Sequence, residues 1–120
     1  MTPGITAALQ EIETPAGFRE QVIEVLKRAL ADGRPTLQYL ARELLQSERT
    51  LQRRLAAEGT TFSELLNEAR RQVGLHLLAD TSLDLKEVAY LLGYEDANSY
   101  FRAFRQWEKI SPSEWRRVNV

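Results

Sequence analysis

The 120-residue chain contains no cysteine and a single histidine, His76. Without cysteine there is no disulfide framework, no thiolate metal site and no cysteine nucleophile. A lone histidine has no second histidine or cysteine with which to share a metal ion, so we expect His76 to be a structural or surface residue. These absences remove most catalytic constellations, and we predict a protein that is not an enzyme and needs no metal or cofactor.

Long apolar runs and an excess of positive charge are also missing. No run approaches the roughly 18 apolar residues that cross a bilayer, and no secretory signal opens the chain, which is compatible with a reducing cytoplasm and no membrane partner. The formal net charge is −1, whereas a nucleic-acid-binding domain is usually basic. The charges are unevenly spread, because acids dominate residues 11–24 and arginines dominate residues 49–54 and 102–117.

What the chain does contain is helical patterning, most clearly in residues 82–117. Asp84 followed three residues later by Glu87 is a capping-box signature that predicts a helix start. Gly93 can adopt the positive φ that ends a helix in a tight turn. At 100° per residue, the helix after this turn has an apolar side and a polar, basic side. The apolar side holds Tyr100, Phe104 and Trp107, and the polar side holds Asn98, Arg102 and Arg105.

An upstream stretch, residues 36–55, repeats this plan. Its first helix matches the later one at an offset of 48 residues and its second at an offset of 49, which predicts that the later turn is one residue longer. Ser47 is the predicted N-cap of the second helix, with Leu51 and Leu55 on the inner face. The chain is therefore predicted to carry two helix-turn-helix units in tandem.

A long helix is predicted between the two units. Thr61 and Glu64 form a capping-box signature, and apolar residues at helical spacing continue to about Leu78. Eighteen residues span about 27 Å, enough to hold two recognition helices about 34 Å, one duplex turn, apart on DNA. We interpret Gly74, inside this spacer, as a site of close packing first and as a hinge second.

The start of the chain completes the predicted architecture. Thr14 and Pro15 predict a helix start, the helix runs to about Ala31, and Gly33 ends it. The fold class is all-α with about seven helices, in which two helix-turn-helix units are joined by a long spacer helix. The predicted parts are a linker or disordered start at 1–13 and a domain at 14–120, with units at about 36–58 and 84–108 and the spacer at about 61–78.

These motifs together resemble the C-terminal DNA-binding domain of AraC/XylS-type bacterial transcription regulators, over residues 18–117. A lone helix-turn-helix pattern would be weak evidence, but five matching pieces are strong. Two positions depart from the family pattern, since Leu45 and Lys109 stand where glycine is common. The matching pieces are S-x-x-x-L-Q-R-R-L at 47–55, G-T-T-F-x-E-L-L at 59–66, V-A-x-L-L-G-Y-x-D at 88–96, Y-F-R-A-F-R-x-W at 100–107 and S-P-x-x-W-R at 111–116.

The resemblance implies a regulator that binds double-stranded promoter DNA in the bacterial cytoplasm. Members of this family are mostly activators that contact RNA polymerase, and many carry an N-terminal effector or dimerisation domain. No such domain is present in these 120 residues. Of the two explanations, a small single-domain member or the C-terminal part of a longer regulator, we favour the second.

Candidate DNA contacts follow from the outward faces of the two recognition helices. Arginine can pair with guanine O6 and N7 in the major groove, and asparagine or glutamine with adenine N6 and N7. Phosphate contacts position the protein without reading the sequence. The base-contact candidates are Arg49, Gln52, Arg53, Asn98, Ser99 and Arg102. The phosphate-contact candidates are Arg54, Arg105, Arg116 and Arg117.

Several alternatives remain open at this point. Phe101 either contacts a thymine methyl group or packs against the spacer helix. Glu48 and Asp96 are either helix caps or filters against wrong sites. The aromatic set Tyr94, Tyr100, Phe104, Trp107 and Trp115 is assigned to the core rather than to base stacking. The alternative function is a helical protein-interaction module without DNA binding, and a steep fall of DNA affinity with salt separates the two functions.

Overall fold

The structure is a computed structural model that describes residues 17–120. Within that range it consists of seven α-helices and contains no strand, which confirms the predicted fold class. The predicted linker at 1–13 and the predicted helix start at Thr14 and Pro15 lie outside the described residues. The helices are α1 (Phe18–Ala31), α2 (Leu37–Glu43), α3 (Glu48–Ala57), α4 (Phe62–Ala79), α5 (Leu85–Leu91), α6 (Ala97–Glu108) and α7 (Pro112–Asn119).

Side-chain caps begin most of these helices where the sequence predicts them. The Ser47 hydroxyl accepts a hydrogen bond from Thr50 N at 3.1 Å, which starts α3. At α5 the Asp84 carboxylate accepts from Glu87 N at 2.8 Å, and Glu87 Oε1 accepts from Asp84 N at 3.3 Å, so the predicted capping box is complete. Each bond satisfies an amide that has no partner inside its helix.

The capping box predicted at α4 is only half correct. Thr61 does cap the helix, because its hydroxyl accepts from Glu64 N at 3.2 Å. The Glu64 carboxylate, however, accepts from the Thr60 hydroxyl at 3.0 Å. Thr60 is 4 % exposed, and a buried hydroxyl needs a partner more than an amide near solvent does. Glu64 therefore accepts a hydrogen bond from the buried Thr60 hydroxyl instead of completing a capping box with Thr61.

Both helix-turn-helix units close their turns with a left-handed residue. Leu45 has φ 55° and the equivalent Gly93 has φ 89°. In each turn the next residue donates back across the helix end, from Gln46 N to Ala41 O at 3.0 Å and from Tyr94 N to Ala89 O at 3.1 Å. One residue separates Leu45 from the next N-cap, and two residues separate Gly93 from its N-cap, so the predicted difference in turn length is confirmed.

Leu45 and Lys109, which stand where glycine is common in the family, both adopt the left-handed backbone conformation that glycine favours. Besides Leu45, Lys109 has φ 69° and ends α6 as its left-handed C-cap. A side chain in this region costs roughly 1–2 kcal/mol relative to ordinary helix geometry. The shape of both turns is thus retained at the expense of local strain.

Two hydrophobic clusters share the spacer helix α4. The first is built by α1, α2, α3 and the N-terminal half of α4, and the second by the C-terminal half of α4 with α5 and α6. Val73, near the middle of α4, packs against both clusters. The largest buried members are Leu26, Leu40, Leu51 and Leu55 in the first cluster and Leu78, Leu92, Tyr100 and Phe104 in the second.

Gly74 lets α6 approach α4 closely, as the sequence predicts. A Cβ atom placed on this buried glycine would lie 3.1 Å from Tyr100 Oη and 3.2 Å from Leu92 Cδ1. Both contacts are tighter than normal packing allows. The predicted inner aromatics agree, since Tyr100 and Phe104 are fully buried while Tyr94, Trp107 and Trp115 pack in part against the second cluster.

Candidate nucleic-acid interface

The first recognition helix, α3, presents a basic face. Arg49, Gln52 and Arg53 are all exposed, while Leu51 and Leu55 on the other side are buried. Arg49 and Arg53 are four residues apart and so lie one above the other on the helix surface. Neither guanidinium forms an ion pair with another residue in the range 17–120. Their donors are available to an external acceptor.

The second recognition helix, α6, presents Asn98 and Arg102 in the same way. Both side chains are exposed on the face opposite the buried Tyr100 and Phe104. Asn98 and Arg102 are also four residues apart, so a carboxamide and a guanidinium share one stripe of the helix. The two recognition helices therefore offer the same kinds of donors at similar spacing.

Asp96 is the N-cap of α6, which confirms its predicted role as a cap, and a role as a filter against wrong DNA sites stays a prediction. Its carboxylate accepts hydrogen bonds from Ser99 N at 2.7 Å and from the Ser99 hydroxyl at 3.0 Å. These bonds from Ser99, backbone first, lower the pKa of Asp96 below its usual value. Ser99, a base-contact candidate, thus donates its hydroxyl proton to the cap and keeps only its oxygen as an acceptor for a base.

The four phosphate candidates have different surroundings. Arg105 and Arg117 are exposed. The Arg54 guanidinium lies 3.9 Å from the centre of the Phe18 ring on α1, an exposed cation–π contact that orients it. Arg105 lines a shallow groove on α6, whose other lining residues are Asn98, Phe101, Arg102 and Ser111.

Arg116 has a structural partner set that the sequence did not suggest. Its Nε donates to Leu78 O at 2.8 Å, and its Nη2 donates to Asp80 O at 2.9 Å. These carbonyls lie at the C-terminal end of α4, where helices leave acceptors unsatisfied and favour positive charge. Arg116 therefore ties α7 to the spacer helix, and phosphate contact by this residue stays a prediction.

Phe101 is half-buried and lies at the border of the two faces. Its ring centroid is 6.0 Å from that of Tyr100, and the side chain packs against the second cluster while it also lines the groove beside Arg105. Phe101 is thus packed in part within the second unit, and its contact with the spacer helix itself stays a prediction. The groove-lining edge leaves the thymine-methyl contact as a prediction.

Two arginines of the spacer helix were missed by sequence reasoning. Arg70 Nε donates to Leu92 O at 3.0 Å, and the guanidinium lies 5.1 Å from the centre of the Tyr94 ring. Arg71 Nε donates to Glu108 Oε1 at 2.6 Å. Both side chains bridge from α4 to the second unit. The available signal was a pair of adjacent arginines in a helix otherwise patterned for the core.

Surface charge fits the interface better than the net charge of −1 suggests. Glu108, the acid at the end of α6, is paired with Arg71. Glu20 and Glu24 lie on α1, which belongs to neither helix-turn-helix unit. The outward faces of α3 and α6 carry arginine and amide groups and one exposed acid, Glu48 at the start of α3, so that arginine outnumbers acid on a surface that attracts phosphate.

Residues 17–120 provide neither a metal-binding cluster of side chains nor a membrane-spanning helix. No group of three or more histidine, cysteine, aspartate or glutamate side chains there could hold a metal ion, and His76 is exposed. No helix in the same range is long and apolar enough to span a membrane.

Sequence comparison places the chain among transcriptional regulators. Residues 40–118 match the sequence model of a family described as "Helix-turn-helix domain". The ornithine utilization regulator of Pseudomonas aeruginosa is 37% identical over 110 residues, which cover 92% of this chain and 32% of that protein. The regulator VirS of Mycobacterium tuberculosis is 35% identical over 107 residues, covering 89% of this chain and 32% of that protein. The chain thus spans about a third of the length of these relatives.

Solved structures agree with the sequence relatives. A DNA-binding transcriptional dual regulator from Escherichia coli K-12 has a TM-score of 0.79 at 30% identity, covering 88% of this chain and 100% of that one. The transcriptional regulator CdpR from Pseudomonas aeruginosa has a TM-score of 0.73 at 39% identity, covering 85% of this chain and 32% of that one. The family match and the similarity to these regulators show that this chain belongs to the AraC-type helix-turn-helix family of transcriptional regulators.

Proposed function

We propose that this domain binds duplex promoter DNA sequence-specifically, by inserting α3 and α6 into adjacent segments of the major groove. The observation that carries the proposal is the pair of side-chain-capped helices on one spacer, each with exposed arginine and amide groups that form no ion pair with another residue of the described range 17–120. The described part measures 44 × 38 × 25 Å. Its longest dimension exceeds the roughly 34 Å between successive major-groove segments on one face of DNA.

The reading groups divide between the two helices. Arg49, Gln52 and Arg53 of α3 read one block of base pairs, and Asn98 and Arg102 of α6 read the other. Each arginine offers two parallel donors to a guanine, and each amide offers a donor and an acceptor to an adenine. The Ser99 oxygen accepts a bond from a base amino group next to the block read by Asn98.

Contacts with the phosphates of the DNA backbone fix the position of the domain along the duplex. Arg105 and Arg117 are exposed and free to reach phosphates, while Arg54 is held in place by the Phe18 ring. Arg116 uses two of its five N–H donors on the end of α4, and the remaining donors are available to a phosphate. These contacts raise affinity for any duplex and make it fall with salt, without choosing a sequence.

The parent protein is proposed to be a cytoplasmic activator of transcription. The relatives are about three times as long as this chain, which leaves room for an effector-binding or dimerisation domain before it. A domain that reads two unlike blocks can bind an asymmetric site as a monomer and so can face RNA polymerase in one orientation.

A binding selection at two salt concentrations tests the proposal. The domain is incubated with a pool of randomised duplexes, and the retained DNA is sequenced. We expect two short preferred blocks about 10 base pairs apart, with affinity that falls steeply as salt rises. Failure to retain DNA even at low salt would overturn the proposal.

The second candidate function is a protein-interaction module, and an exposed apolar groove favours it. Tyr90 and Leu91 on α5 are 78% and 46% exposed, and they line a groove together with Leu30 and Pro35 from the first half of the chain. Large exposed apolar side chains that line one groove mark interaction surfaces. A partner bound there, with affinity independent of salt and without DNA retention, would support this function instead.

A further inference from the structure

Hydrogen-bonded side chains run from α1, across the spacer helix α4, to the end of the second recognition helix. Lys27 Nζ on α1 donates to Glu24 Oε1 at 3.1 Å and to Gln72 Oε1 on α4 at 3.0 Å. Gln72 Nε2 donates in turn to Glu68 Oε1 at 3.0 Å. We call the complete set the polar bridge. Its members are Glu24, Lys27, Gln72, Glu68, Arg71 and Glu108.

The shortest hydrogen bond of the polar bridge is the last one, between Arg71 and Glu108. Arg71 Nη1 donates to Glu68 Oε1 at 3.2 Å, and Arg71 Nε donates to Glu108 Oε1 at 2.6 Å. The Glu108 side chain is 17% exposed, against 35% for Arg71 and 37% for Glu68. A charge pair that is shielded from water is screened less by salt and keeps its geometry better than one on the surface.

Glu108 occupies a position where an acid is unfavourable unless it is paired. It is the last residue of α6, and a helix C-terminus carries partial negative charge that repels a carboxylate. A carboxylate on a DNA-reading helix also repels phosphate. Pairing with Arg71 neutralises both effects and directs the Glu108 side chain towards the spacer.

Besides the second hydrophobic cluster, which α6 shares with α4 and α5, few direct contacts join α6 to the spacer. The α6 backbone packs mainly against α5 and α7 rather than against α4. Near its start, Tyr100 lies against Gly74 of the spacer, and at its end Glu108 is bonded to Arg71. These two points are eight residues, or about 12 Å, apart along the helix. Two separated attachment points restrict the direction of α6 relative to the spacer more than one point does.

We propose that the Arg71–Glu108 pair is a register device: it fixes the direction of α6 relative to α3 and thereby the number of base pairs that the domain accepts between its two DNA blocks. Arg71 is a positioning residue that acts on DNA through α6. The rest of the polar bridge anchors Arg71 to α1 of the first half. This inference rests on the proposed function, because only a domain that reads two blocks has a spacing to set.

Distance measurements between spin labels test the orientation without DNA. The chain has no cysteine, so cysteines at the exposed positions Ala57 and Gln106 can be labelled specifically at the ends of α3 and α6. We expect Arg71→Met and Glu108→Ala to broaden the measured distance distribution. Glu108→Gln should leave the distance distribution close to that of the domain with Arg71 and Glu108 intact, since the amide oxygen of the new side chain still accepts from Arg71 Nε.

Affinity for duplexes with different spacings tests the consequence on DNA. The two selected blocks are placed about 9 to about 12 base pairs apart, and binding is compared at each spacing. Arg71→Met should reduce the preference for the best spacing over its neighbours by about 3- to 10-fold. Arg28→Met is the matched control, because Arg28 is exposed and also loses one positive charge. It should lower affinity equally at all spacings or leave it unchanged.

The outcomes separate this inference from the proposed function. An unchanged distance distribution in Arg71→Met and Glu108→Ala would overturn the register device, as would an equal loss of affinity at every spacing. Failure of the unmodified domain to prefer any two-block duplex would overturn the proposed function. In that case the label distances still decide whether Arg71 and Glu108 orient α6.

Discussion

The two helix-turn-helix units share a plan but are held in place by different means. The first unit rests on a mainly apolar contact with α1 and has an exposed leucine, Leu45, at its strained turn. The second unit has glycine at that turn and is tied to the spacer by Arg70 and Arg71, while Arg116 ties the following helix α7 to the spacer. Apolar packing tolerates small shifts, whereas charge-assisted hydrogen bonds demand one geometry. The second unit is therefore the one whose position is specified by directional contacts.

Truncation in the second core gives the largest expected effect. Phe104→Ala removes a side chain that is 1% exposed and should cost about 3–5 kcal/mol of unfolding free energy. Because the cores are separate, amide hydrogen exchange should accelerate in α5, α6 and α7 more than in α1, α2 and α3. The matched variant Leu55→Ala in the first core should show the reverse pattern. Equal acceleration in both halves for either variant would mean that the two cores behave as one.

Replacement of one candidate base-contact arginine in each unit should weaken recognition only of the block of base pairs that this unit is proposed to read. Arg53→Ala and Arg102→Ala should each cost about 1–3 kcal/mol of binding free energy and relax preference at one base pair. Competition binding against duplexes substituted at single positions measures this. Arg28→Ala on α1 serves as the control for lost charge. A uniform loss across unrelated sequences would make either arginine a phosphate contact instead.

Exchange of the turn residues should reverse the difference in strain between the units. Leu45→Gly relieves a left-handed leucine that is 92% exposed and should stabilise the domain by about 1 kcal/mol after the greater freedom of glycine in the unfolded chain is counted. Gly93→Ala should destabilise it by about 1 kcal/mol for the same reasons. Urea unfolding curves measure both. A destabilised Leu45→Gly variant would show that the leucine side chain makes a contribution beyond its backbone geometry.

The helix caps should differ in their response to pH, which is the smallest expected effect. The pKa of Asp96 is lowered by its bonds from Ser99, so the stabilisation from its charge is present above the unfolded pKa of about 3.9 and is lost as pH falls through the folded pKa. The difference in stability between the unmodified domain and Asp96→Ala should therefore shrink at low pH. Ser47→Ala in the first unit should show a difference that does not vary with pH, since the serine cap does not ionise. Thermal unfolding from pH 7 to pH 3 measures both variants.

Much of the fold could be predicted because its signals are local. The caps at Ser47 and Asp84 depend on residues three positions away, and the burial of Tyr100 and Phe104 follows from helical spacing. Gly74 was predictable because a glycine inside a helix needs a packing reason.

The contacts of the arginines that join the spacer to the later helices could not be predicted in the same way. Arg70, Arg71 and Arg116 find partners that are 22, 37 and 38 residues away in sequence. Two of these partners are backbone carbonyls, which every residue possesses and which leave no trace in the sequence. The base-contact residues lie on the predicted faces, and their contacts with DNA stay predictions.

The place of Val73, in contact with both clusters, has a consequence for how the domain unfolds. Two cores joined through one helix resemble a short repeat array, whose stability is a sum of two intrinsic contributions and one nearest-neighbour coupling. The coupling is concentrated near Val73, where the apolar side chains of the two halves meet on α4. A substitution at Val73 should therefore change the coupling between the two halves more than the stability of either half. With weak coupling the halves unfold in two transitions, and with strong coupling they unfold in one.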